Sequence, residues 1–500
     1  MNELFLFVRP PRPLWPFNST ASAFWPPLAF ASMAAMLRQH LPDLRVEILD
    51  APALEMGWRT LTVEIQRRRP AYVGIGEEAV SCVEGLRLAK LAKAVGAKVI
   101  AGGCFFGHVA PQVLATGLVD VVVHGEGEGT VVELVQALRD GSRDALAEVN
   151  GISFLAPELT TTAPRQLVPD LDALPLPAYD LLPMERYGAR SVNHPRLAAI
   201  ELSRGCFGAC DFCVLWRQMG RFAGDRLVPQ LRVKSPERLR EEVRVLVHRY
   251  HRQYLGWVDP CFNADPRVPG QLAELLLRDG IRVGQSAWVR ADAMVRDARS
   301  GALGNCVRAG LNEVYLGIER PDSESLASLH KTSGVADAQE ALRILRQQFP
   351  EVLAIGSFIY GLPGDSPRTI RAIHRFVTEL ELDQFFFIPL TPLPGTEGWR
   401  PELWDPSGES FREFSFLPAG RPHGRHAELE HALLWSMLAN WPWARVRGYL
   451  RPWLGGQTRR RRVQWRLTAR ATRVYLTRVL CDIFGTSDGL GLIFPRWYES

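Results

Sequence analysis

"ELSRGCFGACDFCVLW", residues 201–216, places Cys206, Cys210 and Cys213 within eight residues behind a short apolar run. Eight cysteines in 500 residues are too few for a disulfide scaffold, so such a group indicates metal binding or catalysis. A structural zinc site needs four ligands, and no second cysteine pair follows, while the nearest histidine, His194, lies across a strand. The spacing favours an iron–sulfur cluster with three protein ligands, which leaves one iron open to another ligand.

The residues around this group alternate between strand and helix patterns. Strands are predicted near 197–203, 254–259, 282–286, 313–317, 353–360 and 384–390. One intervening helix is expected to begin at Ser235, with Pro236 in its first turn. Six repeats predict a partial (β/α)6 barrel over residues 196–395, whose chemistry lies at the carboxyl ends of the strands. The cysteines directly follow the first of these strands.

Residues 1–140 show a second alternation. Apolar runs begin at Leu4, Val46, Ala71, Lys98 and Val119, and they predict an α/β fold with a doubly wound, Rossmann-like parallel sheet. Five glycines fall where strands should end, namely Gly76, Gly102, Gly103, Gly125 and Gly127. Each alone is explained by a tight turn, but together they favour a ligand at this edge. Residues 141–195 are rich in proline and are predicted to be a linker.

Residues 396–500 are predicted to form a mainly helical region. Residues from Arg421 onward carry fourteen arginines, no lysine and five acidic residues, within a net charge of +5 for the whole chain. The run Arg459–Arg462 beside Trp465 is compatible with nucleic-acid binding, although a solvated helix face is the simpler interpretation. A third interpretation is that the tryptophans and arginines form a patch that contacts a lipophilic substrate or a membrane surface. With no signal peptide or membrane-spanning run, we expect a cytoplasmic protein.

The motif C-x3-C-x2-C, with an aromatic residue before the last cysteine, resembles the signature of the radical S-adenosylmethionine (SAM) superfamily. The resemblance implies that Cys206, Cys210 and Cys213 bind a 4Fe–4S cluster, that SAM binds the open iron, and that Phe212 packs near the adenine. Reductive cleavage of SAM would yield a 5′-deoxyadenosyl radical. The protein would supply positions and exclude water.

Other barrel segments resemble the same family. "GWVDPCFNAD", "WVRAD" and "EVYLGIE" place Asp259, Asn263, Arg290 and Glu319 at the barrel mouth, where the family binds SAM. "FIYGLPGDS" resembles the fifth-strand turn, but Asp365 stands where glutamate is usual. "ERPDSES" departs from the common "ESGS", which leaves the roles of Arg320 and Pro321 open.

The first domain resembles the cobalamin-binding domain that precedes the barrel in one radical SAM subclass. By this resemblance the cobalamin site comprises Gly76, Glu77, Ser81, Gly102, Gly103, Gly125, Glu126 and Gly127, with Glu78 and Cys104 as further candidates for facing the corrin. The string D-x-H-x-x-G does not occur, so no histidine is expected on the lower cobalt face.

The domain pair implies methyl transfer from methylcobalamin to an unactivated carbon of a large, lipophilic substrate. An oxidative cyclase acting on a tetrapyrrole is the alternative. A transfer-RNA methylthiotransferase would need three cysteines in the first domain, where only Cys82 and Cys104 occur. A non-catalytic cobalamin or iron–sulfur sensor is a further alternative, because a fold does not fix a function. A flavodoxin or ferredoxin is the expected electron donor, no nucleic-acid partner is expected, and Cys261 is interpreted as an inert thiol rather than a redox group.

Overall fold

A computed structural model describes residues 3–12, 25–76, 81–191, 193–400 and 495–500, together with 428–429, 432–433 and 435–436. Its first sheet has seven strands in the order β2-β1-β3-β4-β5-β6-β7, of which the first five are parallel. These strands are β1 Leu4–Arg9, β2 Arg45–Asp50, β3 Tyr72–Ile75, β4 Lys98–Ala101, β5 Val121–Val123, β6 Ile152–Leu155 and β7 Leu159–Thr161. The doubly wound sheet predicted from the sequence is confirmed.

Strand β1 shows why this sheet is covered on both faces. Phe5 and Phe7 point into one apolar core, and Leu4, Leu6 and Val8 point into the other. Successive side chains of a strand alternate between faces, so "LFLFV" supplies both cores at once. The helices that cover the sheet are α1 Leu28–His40, α2 Ala51–Leu54, α3 Trp58–Arg68, α4 Cys82–Ala94, α5 Gly103–Phe106, α6 Ala110–Ala115, α7 Gly127–Asp140 and α8 Arg143–Ala147.

The segment predicted to be a linker begins with part of this sheet. β6 pairs antiparallel with β5, and β7 pairs antiparallel with β6. β7 has three residues, none of them buried, so it lacks the apolar alternation that makes a strand visible in a sequence. Downstream, the described linker residues contain only two short 3-10 turns, Leu171–Ala173 and Tyr179–Leu181.

The second sheet has six parallel strands in the order β17-β16-β15-β14-β13-β8, as the six-repeat pattern predicts. They are β8 Leu197–Ile200, β13 Tyr254–Trp257, β14 Gly284–Val289, β15 Leu311–Glu319, β16 Leu353–Tyr360 and β17 Gln384–Pro389. The helices are α9 Val214–Gln218, α10 Pro236–Arg244, α11 Val268–Arg278, α12 Ala291–Ser300, α13 Ala302–Ala309, α14 Ser323–Ser328, α15 Val335–Gln348 and α16 Pro367–Glu379. The Ser235 hydroxyl caps α10 by accepting from the Arg238 amide at 3.1 Å, and this prediction is confirmed.

Two small antiparallel ladders surround the cysteine segment. β9 Ser203–Gly205 pairs with β12 Leu231–Val233, and β10 Arg221–Ala223 pairs with β11 Arg226–Val228. The segment 206–213 directly follows β9, which pairs with β12 in a two-stranded sheet separate from the six-stranded barrel sheet.

The helical region predicted for 396–500 falls almost entirely outside the described residues, including the run Arg459–Arg462 with Trp465. Its last residues dock on the first domain. The Trp58 and Thr60 amides, at the start of α3, donate to the carbonyls of Tyr498 and Ser500 at 2.9 and 3.2 Å. In the part of the chain that the structure describes, no helix has the length and apolar character needed to cross a membrane.

Candidate radical and cofactor site

The cysteine loop begins at a backbone position that requires glycine. Gly205 has φ +90°, and a Cβ at this residue would overlap the carbonyl oxygen of Gln230. The next residue, Cys206, donates its amide to that same carbonyl at 3.1 Å. The close approach of β9 to β12 therefore fixes where the first cysteine leaves the ladder.

The three thiols are partly buried and lie near one another. A Cβ at Gly208 would lie 3.8 Å from Cys206 Sγ and 3.9 Å from Cys210 Sγ. Burial raises the pKa of Cys210 to about 11, an effect opposed by the nearby Lys331 cation. Burial also raises the pKa of Cys213, while backbone amides of α9 lower it. Thiols held protonated in this way become thiolates when a metal binds.

The loop is compatible with a multi-iron cluster. Among the described residues, no group of three or more His, Cys, Asp or Glu side chains is arranged to hold a metal ion. In a four-iron cluster each thiolate binds a different iron, so convergence on one point is not needed. The missing side chain at Gly208 leaves space beside two of the sulfurs. His194 lies elsewhere, with Nε2 3.0 Å from the Glu313 carboxylate.

Asp259 supports the start of the loop. Its buried carboxylate accepts hydrogen bonds from the Leu202 and Ser203 amides and, at 2.7 Å, from the Ser203 hydroxyl. Burial raises its pKa to about 6 although these hydrogen bonds favour the charged form. The structure therefore brings Asp259 to the barrel mouth, as predicted, but its acceptor atoms serve the β8–β9 turn.

Asn263 and Arg290 form a second support. The Asn263 amide group accepts from the Arg290 amide at 3.0 Å and donates to its carbonyl at 3.2 Å. The guanidinium of Arg290 binds Asp292 through two hydrogen bonds and lies 4.5 Å from the centre of the Phe207 ring. A Cβ at Gly208 would lie 3.3 Å from Arg290 Nη1. Arg290 thus places a positive charge next to the cysteine loop.

Glu319 lies at the end of β15, in a left-handed conformation with φ +67°. Its buried carboxylate is 3.4 Å from Lys331 Nζ, and burial raises its pKa against the effect of that cation. A Cβ at Gly317 would lie 2.6 Å from Glu319 Oε1, so glycine leaves the room for this pair. Sequence reasoning missed Lys331 because it lies twelve residues away, in no recognised motif.

Phe212 is partly buried and packs against the small apolar cluster of Leu329, Ile359 and Leu362. Arg320, whose role was open, binds Asp365 through two hydrogen bonds of 2.7 and 2.9 Å. Asp365 also accepts from the Gly361 and Leu362 amides. The pair closes the turn after β16 beneath Phe212, so aspartate in place of glutamate keeps a structural function.

In the first domain, strands β3 and β4 are each followed directly by glycine, namely Gly76 after β3 and Gly102 and Gly103 after β4. Gly103 has φ +85°, and a Cβ there would lie 3.8 Å from Gly76 Cα. Gly102 lies against the Val123 carbonyl, and Gly125, with φ +68°, faces open space. The glycines present backbone without a Cβ at this edge, which would allow a large planar ligand to approach closely. Ser81 is buried just before α4, and Glu77 and Glu78 lie outside the described residues.

Glu126 and Gly127 serve the fold rather than this open edge. The Glu126 carboxylate binds Arg204 at 3.0 Å and Arg232 at 2.9 Å, and both arginines belong to the barrel domain. A Cβ at Gly127 would lie 2.6 Å from Met33 Sδ, so this glycine permits α1 and α7 to pack closely. These contacts engage the Glu126 carboxylate within the protein and explain glycine at position 127 by packing.

Two more contacts join the carboxyl edge of the first sheet to the barrel. The Cys104 thiol, just after β4, donates to Gln218 at the end of α9. His108 lies against Gly395, where a Cβ would come within 2.7 Å of the imidazole. Burial lowers the pKa of His108. The edge that carries the glycines and the loop that carries the cysteines therefore belong to one interface.

Each of the two domains matches a known protein family. Residues 200–377 match the Radical SAM superfamily, and residues 15–135 match the B12 binding domain. The chain is a radical SAM enzyme with a B12-binding domain. The cofactors of these families are a 4Fe–4S cluster, SAM and cobalamin, and the cysteine loop and the glycine edge provide fitting places for them.

Relatives of this radical SAM enzyme cover both domains. It is 29% identical to an uncharacterised methyltransferase of Pyrococcus horikoshii over 75% of this chain and 78% of the relative. It is 28% identical to the hopanoid C-3 methylase of Methylococcus capsulatus over 79% and 72%. It is 24% identical to the anaerobic magnesium-protoporphyrin IX monomethyl ester cyclase of Rubrivivax gelatinosus over 78% and 68%.

The fold is that of solved radical SAM proteins. The methyltransferase TsrM of Kitasatospora setae, solved with cobalamin and a [4Fe-4S] cluster bound, matches with a TM-score of 0.59 and 19% identity. The match covers 79% of this chain and 77% of TsrM. The two-domain arrangement is therefore shared with a protein that holds both cofactors.

Proposed function

We propose that this enzyme transfers a methyl group to an unactivated carbon of a large, lipophilic substrate, using a 4Fe–4S cluster, SAM and cobalamin. The observation that carries the proposal is the interface between the cysteine loop and the carboxyl edge of the first sheet. Cys104 and Glu126, which follow β4 and β5, contact Gln218 and Arg204, which flank the loop. Two cofactors bound at these places would face one cavity.

In this proposal Cys206, Cys210 and Cys213 hold the cluster. When bound, the cluster and cobalamin supply one-electron chemistry and a methyl carrier. Phe212 packs against the adenine of SAM. Glu319 and Lys331 bind its amino acid moiety through opposite charges, and Asp259 and Asn263 keep the loop and Arg290 in place. Gly76, Gly102 and Gly103 provide the edge on which the corrin lies.

The methyltransferase proposal is tested by the products formed from SAM. The full chain is reconstituted anaerobically with iron, sulfide and hydroxocobalamin, and then supplied with SAM and a chemical reductant. We expect both S-adenosylhomocysteine and 5′-deoxyadenosine from the wild type. Cys206→Ala should form no 5′-deoxyadenosine, whereas Cys306→Ala, which alters a buried thiol in α13, should behave as the wild type. Absence of S-adenosylhomocysteine would refute methyl transfer.

A second candidate is the oxidative reaction of a tetrapyrrole side chain. It is favoured by the 24% identity to the magnesium-protoporphyrin cyclase over most of both chains. The same assay separates the two, because the oxidative reaction requires 5′-deoxyadenosine without S-adenosylhomocysteine. Incubation with magnesium-protoporphyrin IX monomethyl ester, followed by mass spectrometry, tests this substrate directly.

The redox chemistry also implies a partner and a compartment. A flavodoxin or ferredoxin would supply electrons, since the reductive cleavage of SAM requires a reduced cluster. The proposed compartment is the cytoplasm, whose reducing conditions keep cysteines available as cluster ligands. Replacement of the chemical reductant by a reduced flavodoxin in the SAM assay tests this partner.

A further inference from the structure

Arg204 lies two residues before the first cluster cysteine and binds three carboxylates. Its Nε is 2.9 Å from Glu201, its Nη1 is 3.0 Å from Glu126, and its Nη2 is 2.6 Å from Glu128. Glu201 belongs to the barrel domain, whereas Glu126 and Glu128 begin α7 of the first domain. Every side of the guanidinium is therefore engaged, and two of its three partners come from the other domain.

Arg232 adds a second link at the same place. It is the direct cross-strand partner of Arg204 in the β9–β12 ladder. Two like charges opposite one another destabilise a ladder. Glu126 lies between them, because its carboxylate binds both guanidinium groups and also accepts from the Val168 amide at 2.6 Å. The barrel ladder therefore depends on a carboxylate supplied by the first domain.

The side chains of this ion-pair network are almost completely buried. The side chains of Arg204, Glu126, Glu128 and Arg232 are 8%, 9%, 7% and 5% exposed. Burial opposes the charge of Glu126, but its two arginine partners outweigh burial and lower its pKa. A buried ion pair that loses one partner leaves an uncompensated charge, so the pairs resist any separation of the domains. Lysine cannot replace Arg204, because one ammonium group does not match three fixed directions.

We propose that Arg204 is a positioning residue that holds the cysteine loop at a fixed place relative to the B12-binding domain. The stretch "HGEGEG", residues 124–129, thereby serves the barrel through Glu126 and Glu128 rather than the cofactor. This inference rests on the proposed function, in which two cofactors act in one cavity. Arg204 sets the distance between the two cofactors, because Gly205 and Cys206, which begin the cysteine loop, follow it directly in the sequence.

The first test needs no cofactor. Hydrogen exchange of the full chain is compared for the wild type, Arg204→Lys and Glu126→Gln. A matched control is Arg240→Lys, whose partner Asp279 lies 2.7 Å away on the barrel surface. We expect exchange on the order of tenfold faster in both 127–132 and 203–213 for the two network variants, and no change there for Arg240→Lys. Faster exchange in only one of the two segments would contradict a link between domains.

The second test separates positioning from stability. Each variant is loaded with cluster and cobalamin, both contents are measured, and the magnetic coupling between the reduced cluster and cob(II)alamin is recorded by electron paramagnetic resonance. We expect Arg204→Lys at full loading to show altered coupling, with the spectrum of each cofactor alone unchanged. Coupling identical to that of the wild type would overturn the inference. Failure of the wild type to load cobalamin would instead refute the proposed function and leave the exchange experiment to decide the inference.

Discussion

The Nζ atom of Lys331 lies 3.4 Å from the Glu319 carboxylate, and both side chains are buried beside the cysteine loop. Lys331 is also the cation that most favours the thiolate of Cys210. The barrel mouth thus places one positive and one negative group next to the site proposed for the 4Fe–4S cluster, whose charge would change on reduction. Both charges should act on its reduction potential.

Substitutions of this pair should shift the cluster potential in opposite directions. Lys331→Met removes a positive charge and should lower the midpoint potential by tens of millivolts, because the added electron loses a favourable interaction. Glu319→Gln removes a negative charge and should raise it by a similar amount. Redox titration without SAM, followed by electron paramagnetic resonance, measures both. Shifts of the same sign would show that the pair acts through structure instead of charge.

Gly205 is predicted to be essential for cluster assembly. In Gly205→Ala, the new Cβ overlaps the Gln230 carbonyl at a positive φ, so β9 must separate from β12 and Cys206 must move. We expect loss of most bound iron and destabilisation by several kcal/mol. The matched control is Gly224→Ala, which has φ +62° but no atom near the added Cβ. It should cost about 1 kcal/mol and retain iron. Equal iron contents in the two variants would contradict this account.

Asp259 predicts a specific pH dependence. Its pKa is raised from 3.8 to about 6, mainly by burial, so the folded state binds the proton more tightly than the unfolded state. Its contribution to stability is therefore greatest below pH 3.8, falls as pH rises to about 6, and is constant above that. The difference between a pKa of 3.8 and one of about 6 corresponds to roughly 3 kcal/mol in the free energy of unfolding.

Asp259→Asn cannot titrate and isolates this effect. The free energy of unfolding of the cofactor-free wild type, relative to Asp259→Asn, should increase as the pH is lowered from neutral towards 4. Urea denaturation at several pH values measures the difference. Parallel curves for the two proteins would show that Asp259 is not the group responsible.

Docking of residues 495–500 should depend on Gly57. A Cβ at Gly57, the residue before α3, would overlap the Trp497 and Ser500 backbone. Gly57→Ala should release the segment and speed exchange of the Trp58 and Thr60 amides on the order of tenfold. Gly334→Ala is the matched control, because Gly334 also precedes a helix in extended backbone and has room for a Cβ. Protection retained in Gly57→Ala would mean that other contacts hold the segment.

Much of the fold could be predicted from the spacing of apolar residues along the sequence. The parallel strands of both sheets were predictable because they include buried runs such as Leu4–Arg9 and Leu353–Tyr360, in which all residues are buried. β7 was not, because a short, solvent-exposed edge strand has no apolar pattern. The cysteine loop could be recognised in the sequence because its three cysteines lie within eight residues; their role as cluster ligands stays a prediction.

The roles of other site residues depended on tertiary contacts. Glu126 was predicted to bind cofactor from the resemblance of the first domain to cobalamin-binding domains, and this role stays a prediction. Its partners in the structure, Arg204 and Arg232, lie 78 and 106 residues away in the sequence. The prediction that Asp259 lies at the barrel mouth says nothing of which donors it meets. Ion pairs between residues of different elements, including Lys331 with Glu319, leave no fixed spacing that a sequence pattern can reveal.

The most direct test of the account is the response of the reconstituted cluster to SAM. We predict about four irons per chain, held by Cys206, Cys210 and Cys213, and an electron paramagnetic resonance spectrum that changes when SAM binds the open iron. Alanine at any of the three should abolish the cluster, while Cys306→Ala should not. A cluster that requires a fourth cysteine, such as Cys261, and whose spectrum is unaffected by SAM would contradict the account.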